Sequence, residues 1–227
     1  MVNLKVEGFE DNTKIQEQLR RGIQIIRECK LYSRGMNLSI VIRVVNVNEL
    51  TAYACFDGTA DGVDQFEICI SSLMIDLHKD VVVGILLHEI GHIVHGDFDK
   101  MIYLDNKFCS SKTFIGRVFY GIRRAIHLVN DTDVLKEIVI KREEKIDKGL
   151  KVNSAYEKRY QYYLKREIDA DNIVMEVLTR QGLEVDTYIE LLKTNHCKYG
   201  IVGGKERIAN LIQFKNNIKN SISNKRI

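Results

Sequence analysis

Between Asp80 and Gly96 the chain carries Val81, Val82, Val83, Ile85, Leu86, Leu87, Ile90, Ile93 and Val94, which fall on most sides of a helix. A helix of that kind is stable only when other elements cover it all round, so the fold must be built about it. Asp80 suits its N-cap and Gly96 the position that ends it. Inside it stand His88, Glu89 and His92. Burying unpartnered polar groups costs roughly 2–7 kcal/mol each, so these three require a compensating chemistry. Imidazoles at i and i+4 project from one face, about 6 Å apart along the axis. Both can close on one Zn²⁺, the ion that nitrogen donors of this kind commonly hold. Glu89 is rotated off that line and is placed to act on water as a general base. The competing reading is a pair of core histidines satisfied by other groups beside a buried glutamate.

A catalytic zinc needs a third protein ligand and an open fourth position. Glu167-Ile168-Asp169-Ala170-Asp171 is the best source. It is expected to open a second helical run to Leu178, with Ile173, Val174, Val177 and Leu178 as the apolar face. Glu167 and Asp171 share a face. Glu167 is assigned to the metal, and Asp171 to the free ring N–H of a ligand histidine, whose tautomer it would fix. Asp169 points elsewhere. Taken alone, an acidic helix start is ordinary, favoured by the macrodipole; the upstream motif tips the reading towards a ligand.

At 227 residues the chain fits one domain with room for a real core. Its 45% apolar and 29% charged content is that of a globular protein, and a formal charge of +3 is too small to imply a nucleic-acid partner. Five cysteines, odd in number and without CxxC spacing, fit reduced thiols and a cytoplasmic location. No apolar run reaches the ~18 residues of a membrane span, and the N-terminus lacks a signal pattern.

Along the chain, a helix is expected from Asn12 or Thr13 to about Arg34, with Ile15, Leu19, Ile23 and Ile26 on one face. Strands are expected at Leu38–Val47, Thr51–Phe56 and Phe66–Ile70, with a turn or loop at Asp57–Gly62 and a short helical approach at Ser71–Leu77. Helical spacing returns at Phe114–Val129, which could cover a cleft, lie on a membrane surface or pack in the core. Gly116 and Gly121 favour packing, and peripheral membrane contact stays open. A charged stretch, Lys136–Lys151, follows. Val185–Thr194 and Lys205–Asn217 read as amphipathic helices, and the end from Lys215 is expected to fray. His95 reads as a helix-end residue, His78 and His127 as satisfied side chains, and Asp97 and Asp99 as a solvated acidic turn.

These residues resemble the gluzincin metallopeptidases of the HtpX and CaaX-prenyl-protease (Ste-type) family. The family's helix motif matches His88-Glu89-Ile90-Gly91-His92, and its downstream Glu-x-x-x-Asp matches Glu167 to Asp171. Its upstream Asn-Ala-Phe-Ala strand looks like Thr51-Ala52-Tyr53-Ala54, and its following strand and serine turn like Ile68–Leu73. Its Glu-Arg-Ile-x-x-Leu segment matches Glu206 to Leu211, so the resemblance spans about residues 38–212. Two departures stand out. Thr51 replaces the asparagine, and no His-Pro precedes the arginine motif, His196 lying too far upstream to align.

The resemblance implies an α+β, zincin-like fold, with a small N-terminal β-sheet packed on the active-site helix and a mostly helical C-terminal lobe. Within a single domain 1–227, the parts are 1–79 (N-terminal α/β), 80–96 (active-site helix), 97–166 (helical insertion) and 167–227 (helical, with the third ligand). It implies a metalloendopeptidase with one Zn²⁺ on His88, His92 and Glu167, Glu89 as general base, and protein or peptide substrates. Thr51, Ala52, Tyr53 and Ala54 become an edge to which an extended peptide would pair, or else an ordinary internal strand. His196 is the candidate transition-state stabiliser. Residues 97–166 hold no apolar hairpin like those of membrane-embedded members, which points to a soluble form. Two alternatives remain: a regulatory protease resembling the ImmA/IrrE group, which cleaves repressors, and a non-catalytic binding protein stiffened by zinc. A retained Glu89 argues against the second.

Overall fold

A computed structural model describes residues 2–7, 13–28, 37–46, 52–97, 142, 144–146, 148–149, 154–199, 201 and 203–223. The expected helix at 114–129, and His127 and Asp99, lie outside them. So do most of the charged stretch at 136–151 and residues 29–34 of the first expected helix.

The chain begins with strand β1 (Val2–Glu7), helix α1 (Thr13–Glu28) and strand β2 (Leu38–Val45). A hairpin of β3 (Ala52–Ala60) and β4 (Val63–Ser71) follows, then a 3₁₀ turn (Ser72–Asp76) and helix α2 (Lys79–Val94). Three further helices are α3 (Ser154–Arg180), α4 (Val185–Tyr199) and α5 (Gly204–Ser223). The strands form one sheet in the order β1-β2-β4-β3. β1 and β4 flank β2 in parallel, while β3 runs antiparallel to β4 at the edge. The expected α+β architecture therefore holds, with one strand more than the three expected. β1 escaped notice although Val2-Asn3-Leu4-Lys5-Val6-Glu7 alternates with a period of two.

The turn or loop expected at Asp57–Gly62 is a turn at Asp61–Gly62, while residues 57–60 belong to β3. Its Asp and Gly residues serve two compact devices. Asp61 and Gly62 have φ of 53° and 73°, the pair of left-handed conformations that closes a two-residue hairpin. Upstream, the register slips between Phe56 and Gly58, leaving Asp57 as the extra residue of a bulge.

The inner face of the sheet is supplied by Leu38, Ile40, Ile42 and Val44 of β2 and Phe66, Ile68 and Ile70 of β4. α1 adds Leu19, Ile23 and Ile26, while Glu17, Arg20 and Gln24 on its other side are exposed. Each such side chain contributes roughly 1.5–3 kcal/mol on burial. α2 runs through the middle, buried from Asp80 to Ile93, in contact with α1, the sheet, α3 and α4. His78, not Asp80, caps it: the His78 ring accepts from the Asp80 backbone N–H at 3.4 Å. The Asp80 carboxylate is thereby free to accept the backbone N–H of Glu184 at 3.1 Å, tying the start of α2 to the start of α4. At the other end His95 is the C-cap, and Gly96 (φ 62°) takes the left-handed position beyond it.

Glu167 does not open a helix. It sits in the middle of α3, so the expected boundary at 166/167 falls within one continuous element. α5 continues to Ser223, so the frayed end expected from Lys215 is helical for most of its length. Among the described residues no helix is long and apolar enough to cross a membrane.

α2 and α3 cross where Gly91 faces Ala170: a Cβ on Gly91 would lie 3.0 Å from the Ala170 Cα. Backbone cannot move aside as a side-chain tip can, so Gly91 sets the helix separation. Gly91→Val is expected to destabilise the fold by about 1–3 kcal/mol, the usual cost of overpacking. It should weaken metal binding at the same time, since Glu167 sits one turn from the crossing. Urea midpoints and a zinc competition titration would check both effects.

Candidate metal centre and cleft

The crossing of α2 and α3 brings His88, His92 and Glu167 into one group, all three sheltered from solvent. The two imidazole Nε2 atoms are 3.2 Å apart. Glu167 Oε2 lies 3.3 Å from His88 Nε2, and Glu167 Oε1 lies 3.5 Å from His92 Nε2. Donors around a four-coordinate zinc with bonds of about 2.0–2.1 Å are themselves about 3.3–3.4 Å apart. The observed edges of 3.2, 3.3 and 3.5 Å match that spacing.

The far side of each ring explains why these edges need a cation. His88 Nδ1 is 2.9 Å from Asp171 Oδ1, and His92 Nδ1 is 2.9 Å from Asp97 Oδ2. An ionised carboxylate only accepts, so each Nδ1 carries the proton and each Nε2 turns a lone pair towards the other and towards Glu167. Three electron-rich atoms converge on one point. Only a positive charge there, a proton or a metal ion, makes such a site stable. The residues present therefore fit a divalent ion.

Around the three donors lies a ring of further groups. Arg207, reaching in from α5, donates from Nε to Asp171 Oδ2 at 2.7 Å and from Nη2 to Asp171 Oδ1 at 2.9 Å. Its Nη1 donates to Glu167 Oε2 at 2.6 Å. One guanidinium thus clamps both carboxylates that α3 presents one turn apart, a planar fork that lysine cannot reproduce. Tyr188 of α4 donates its hydroxyl to Asp171 Oδ1 at 2.8 Å. Its ring lies flat against α2, where a Cβ on Gly84 would come within 2.7 Å of it. Asp97 is buried, not the solvated turn residue its composition suggests: Gly96 turns the chain back and Asp97 meets His92. Arg166 of α3 forms an ion pair with the same Asp97 oxygen at 3.3 Å.

Electrostatics follow from this packing. Burial alone raises the Asp171 pKa, but the Arg207 and His88 charges override it and hold the value down at about 2. Burial likewise raises Glu167, yet Arg207 and the two imidazoles take it well below the usual carboxylate range. Burial pushes His88 down, whereas its bonds to Asp171 and Glu167 outweigh that and lift it to about 10. Burial and the Asp171 charge move Tyr188 well above the usual phenol value, so it remains a donor.

Beside the donors opens a cleft of about 150 Å³. Glu89 and His88 form part of its rim with Tyr188, Arg207 and Asn195, and Met74, Ile85, Leu191, Leu192 and Ile201 form its apolar wall. The Glu89 side chain makes no hydrogen bond or ion pair with other described residues. Ala52 of the edge strand β3 also lines the cleft, and β3 packs beside α2. Tyr53 and Ala54 follow Ala52 on that strand, with Tyr53 largely exposed, while Thr51 lies outside the described residues. His196 is not among the cleft-lining residues; it packs against Gly204 at the junction of α4 and α5, and its neighbour Asn195 faces the cleft instead. Asp169 takes no part in the donor group. His95 is the helix cap that its position suggests.

The three donors, Glu89 and Asp171 are legible in the sequence as candidate site residues, whereas Asp97, Arg166, Tyr188 and Arg207 are not. Arg207 had a signal, since it belongs to the Glu-Arg-Ile segment of the resemblance. Tyr188 lies a hundred residues from His88 in an ordinary amphipathic pattern, so only the tertiary fold reveals it.

The chain matches Peptidase family M48 over residues 11–219. No curated protein and no solved structure matches it.

Two outcomes are expected. Arg207→Lys or Asp97→Asn should weaken zinc binding about 10–100-fold, the usual effect of removing a partner that orients a ligand; chelator competition would measure it. Zinc must also displace the proton that His88 holds up to about pH 10 in the metal-free site. Affinity should therefore rise about tenfold per pH unit from pH 6 to 8, with one proton released per ion bound; calorimetry in buffers of different ionisation enthalpy would count the protons.

Proposed function

The chain belongs to peptidase family M48, and from that premise we propose that it is a zinc-dependent metalloendopeptidase with a zincin-like fold. Peptide or protein substrates follow from the family. The observation that carries the reading is the convergence of His88 Nε2, His92 Nε2 and a Glu167 carboxylate oxygen within 3.2–3.5 Å, beside a cleft bearing Glu89.

In this reading His88, His92 and Glu167 hold the ion. When bound, Zn²⁺ polarises a carbonyl and makes water acidic enough to attack near neutral pH. Glu89, next to the donors and uncommitted, takes the proton of the attacking water and returns it to the departing amine. Asp171 and Asp97 keep both imidazoles in the tautomer that presents Nε2. Arg207 holds Glu167 and Asp171 in register, so the donor set does not rearrange during turnover. The free edge of β3 at Ala52–Ala54 receives the substrate as an added strand, its main chain supplying hydrogen bonds independent of sequence.

Nothing in the site favours a structural strut. A strut needs no carboxylate such as Glu89 left unengaged at a cleft. Nor does any described element set this chain apart as a repressor-cleaving protease of the ImmA/IrrE kind.

Glu89→Gln should retain one zinc per chain and lose about 10²–10⁴-fold in kcat, the range for a general base. Glu167→Ala and His92→Ala should lose zinc; full stoichiometry in either would overturn the ligand assignment. Chelation should abolish hydrolysis while circular dichroism shows the fold largely intact, whereas a strut predicts global unfolding.

A further inference from the structure

We propose that the cleft beside Glu89 takes one uncharged apolar side chain of the substrate, such as that of leucine or phenylalanine. Asn195 is the donor that holds the substrate's main-chain carbonyl at its mouth. The proposal deepens the peptidase reading and rests on it.

The apolar wall comes from four different places: Met74 in the 3₁₀ turn, Ile85 on α2, Leu191 and Leu192 on α4, and Ile201 before α5. No charged side chain stands on that wall. The one cation at the rim, Arg207, has all three nitrogens engaged and is matched by the charges of Glu167 and Asp171. It therefore offers little to an acidic substrate residue. A basic residue would pair with Glu89 and occupy the proton acceptor. The volume of about 150 Å³ equals that of an apolar protein cavity known to take benzene, so leucine and phenylalanine side chains fit.

A bound peptide also brings main-chain carbonyls that lose water on entry, and each needs a donor. His88 gives its Nδ1–H to Asp171, Tyr188 gives its hydroxyl to the same carboxylate, and Arg207 is clamped. Glu89 only accepts. The Asn195 side chain has no hydrogen bond with any described residue. It lies two helical turns after Tyr188, on the same face of α4. Among the described residues it is the one neutral cleft side chain whose amide donors are all uncommitted.

Zinc-loaded Glu89→Gln binds peptides without cutting them, so binding and turnover separate. The probes are blocked hexapeptides differing only in one central residue: Leu, Phe, Lys or Glu. Leu and Phe peptides should bind at least tenfold tighter than the Lys and Glu peptides, since an apolar wall leaves a buried charge without a partner. Asn195→Ala and Asn195→Asp should raise Kd about tenfold for every peptide alike and lower kcat/KM of the otherwise wild-type enzyme, with zinc content unchanged. Equal binding of charged and apolar peptides would reject the pocket; unchanged Kd and kcat/KM in both Asn195 variants would reject the donor role. Selective binding with no cleavage of any probe by the wild type would sink the peptidase reading and leave the pocket standing. Cleavage without selectivity would do the reverse.

Discussion

Arg207 is the group on which the rest of the site depends. It is a buried cation set between the buried Asp171 and the half-buried Glu167, each of which touches a histidine of α2. Isolated charges in a protein interior cost several kcal/mol apiece, and good mutual geometry is what offsets that cost. Here the offset is the three-bond fork to Asp171 and Glu167. Because the fork comes from α5 and the carboxylates from α3, the last helix of the described chain fixes the orientation of side chains on a helix far earlier in sequence. The candidate metal centre is thus held by side chains from four helices, α2 to α5.

Much of this was legible in the residues. The apolar surround of His88-Glu89-Ile90-Gly91-His92 required a central helix, and α2 is one. The i, i+4 relation of Glu167 and Asp171 put both on one face, which holds even though they lie in mid-helix rather than at a helix start. What failed were local assignments in which composition stood in for geometry. Asp80 looked like a cap, but a ring nitrogen of His78 reached the orphan N–H first. Asp97, followed by Phe98 and Asp99, looked like a wet turn, and nothing in the spacing says that a left-handed glycine folds it back onto His92. Asp57 to Gly62 looked like a turn or loop throughout, yet only Asp61 and Gly62 turn, because the same residue types also build bulges inside strands.

The hidden part of the site is the part that arrives over long sequence distances. Tyr188 and Arg207 belong to helices whose patterns are those of any packed helix, and their polar atoms become meaningful only once α4 and α5 are laid against α2 and α3. The candidate donors announce themselves by spacing because one helix presents two of them. Their supporters do not, since no periodicity relates residues on separate helices.

The bulge at Asp57 sets a limit on how long a guest strand β3 can host. Flat pairing along its outer side ends where the register slips, leaving residues 52–56 as the usable stretch. At about 3.4 Å per residue that is roughly 17 Å of extended backbone. On the proposed reading, a peptide added to this strand would be held for a handful of residues and released beyond them. That geometry suits unfolded or locally frayed chains, and it denies neighbouring copies of the protein the long flat rim on which sheets otherwise stack edge to edge.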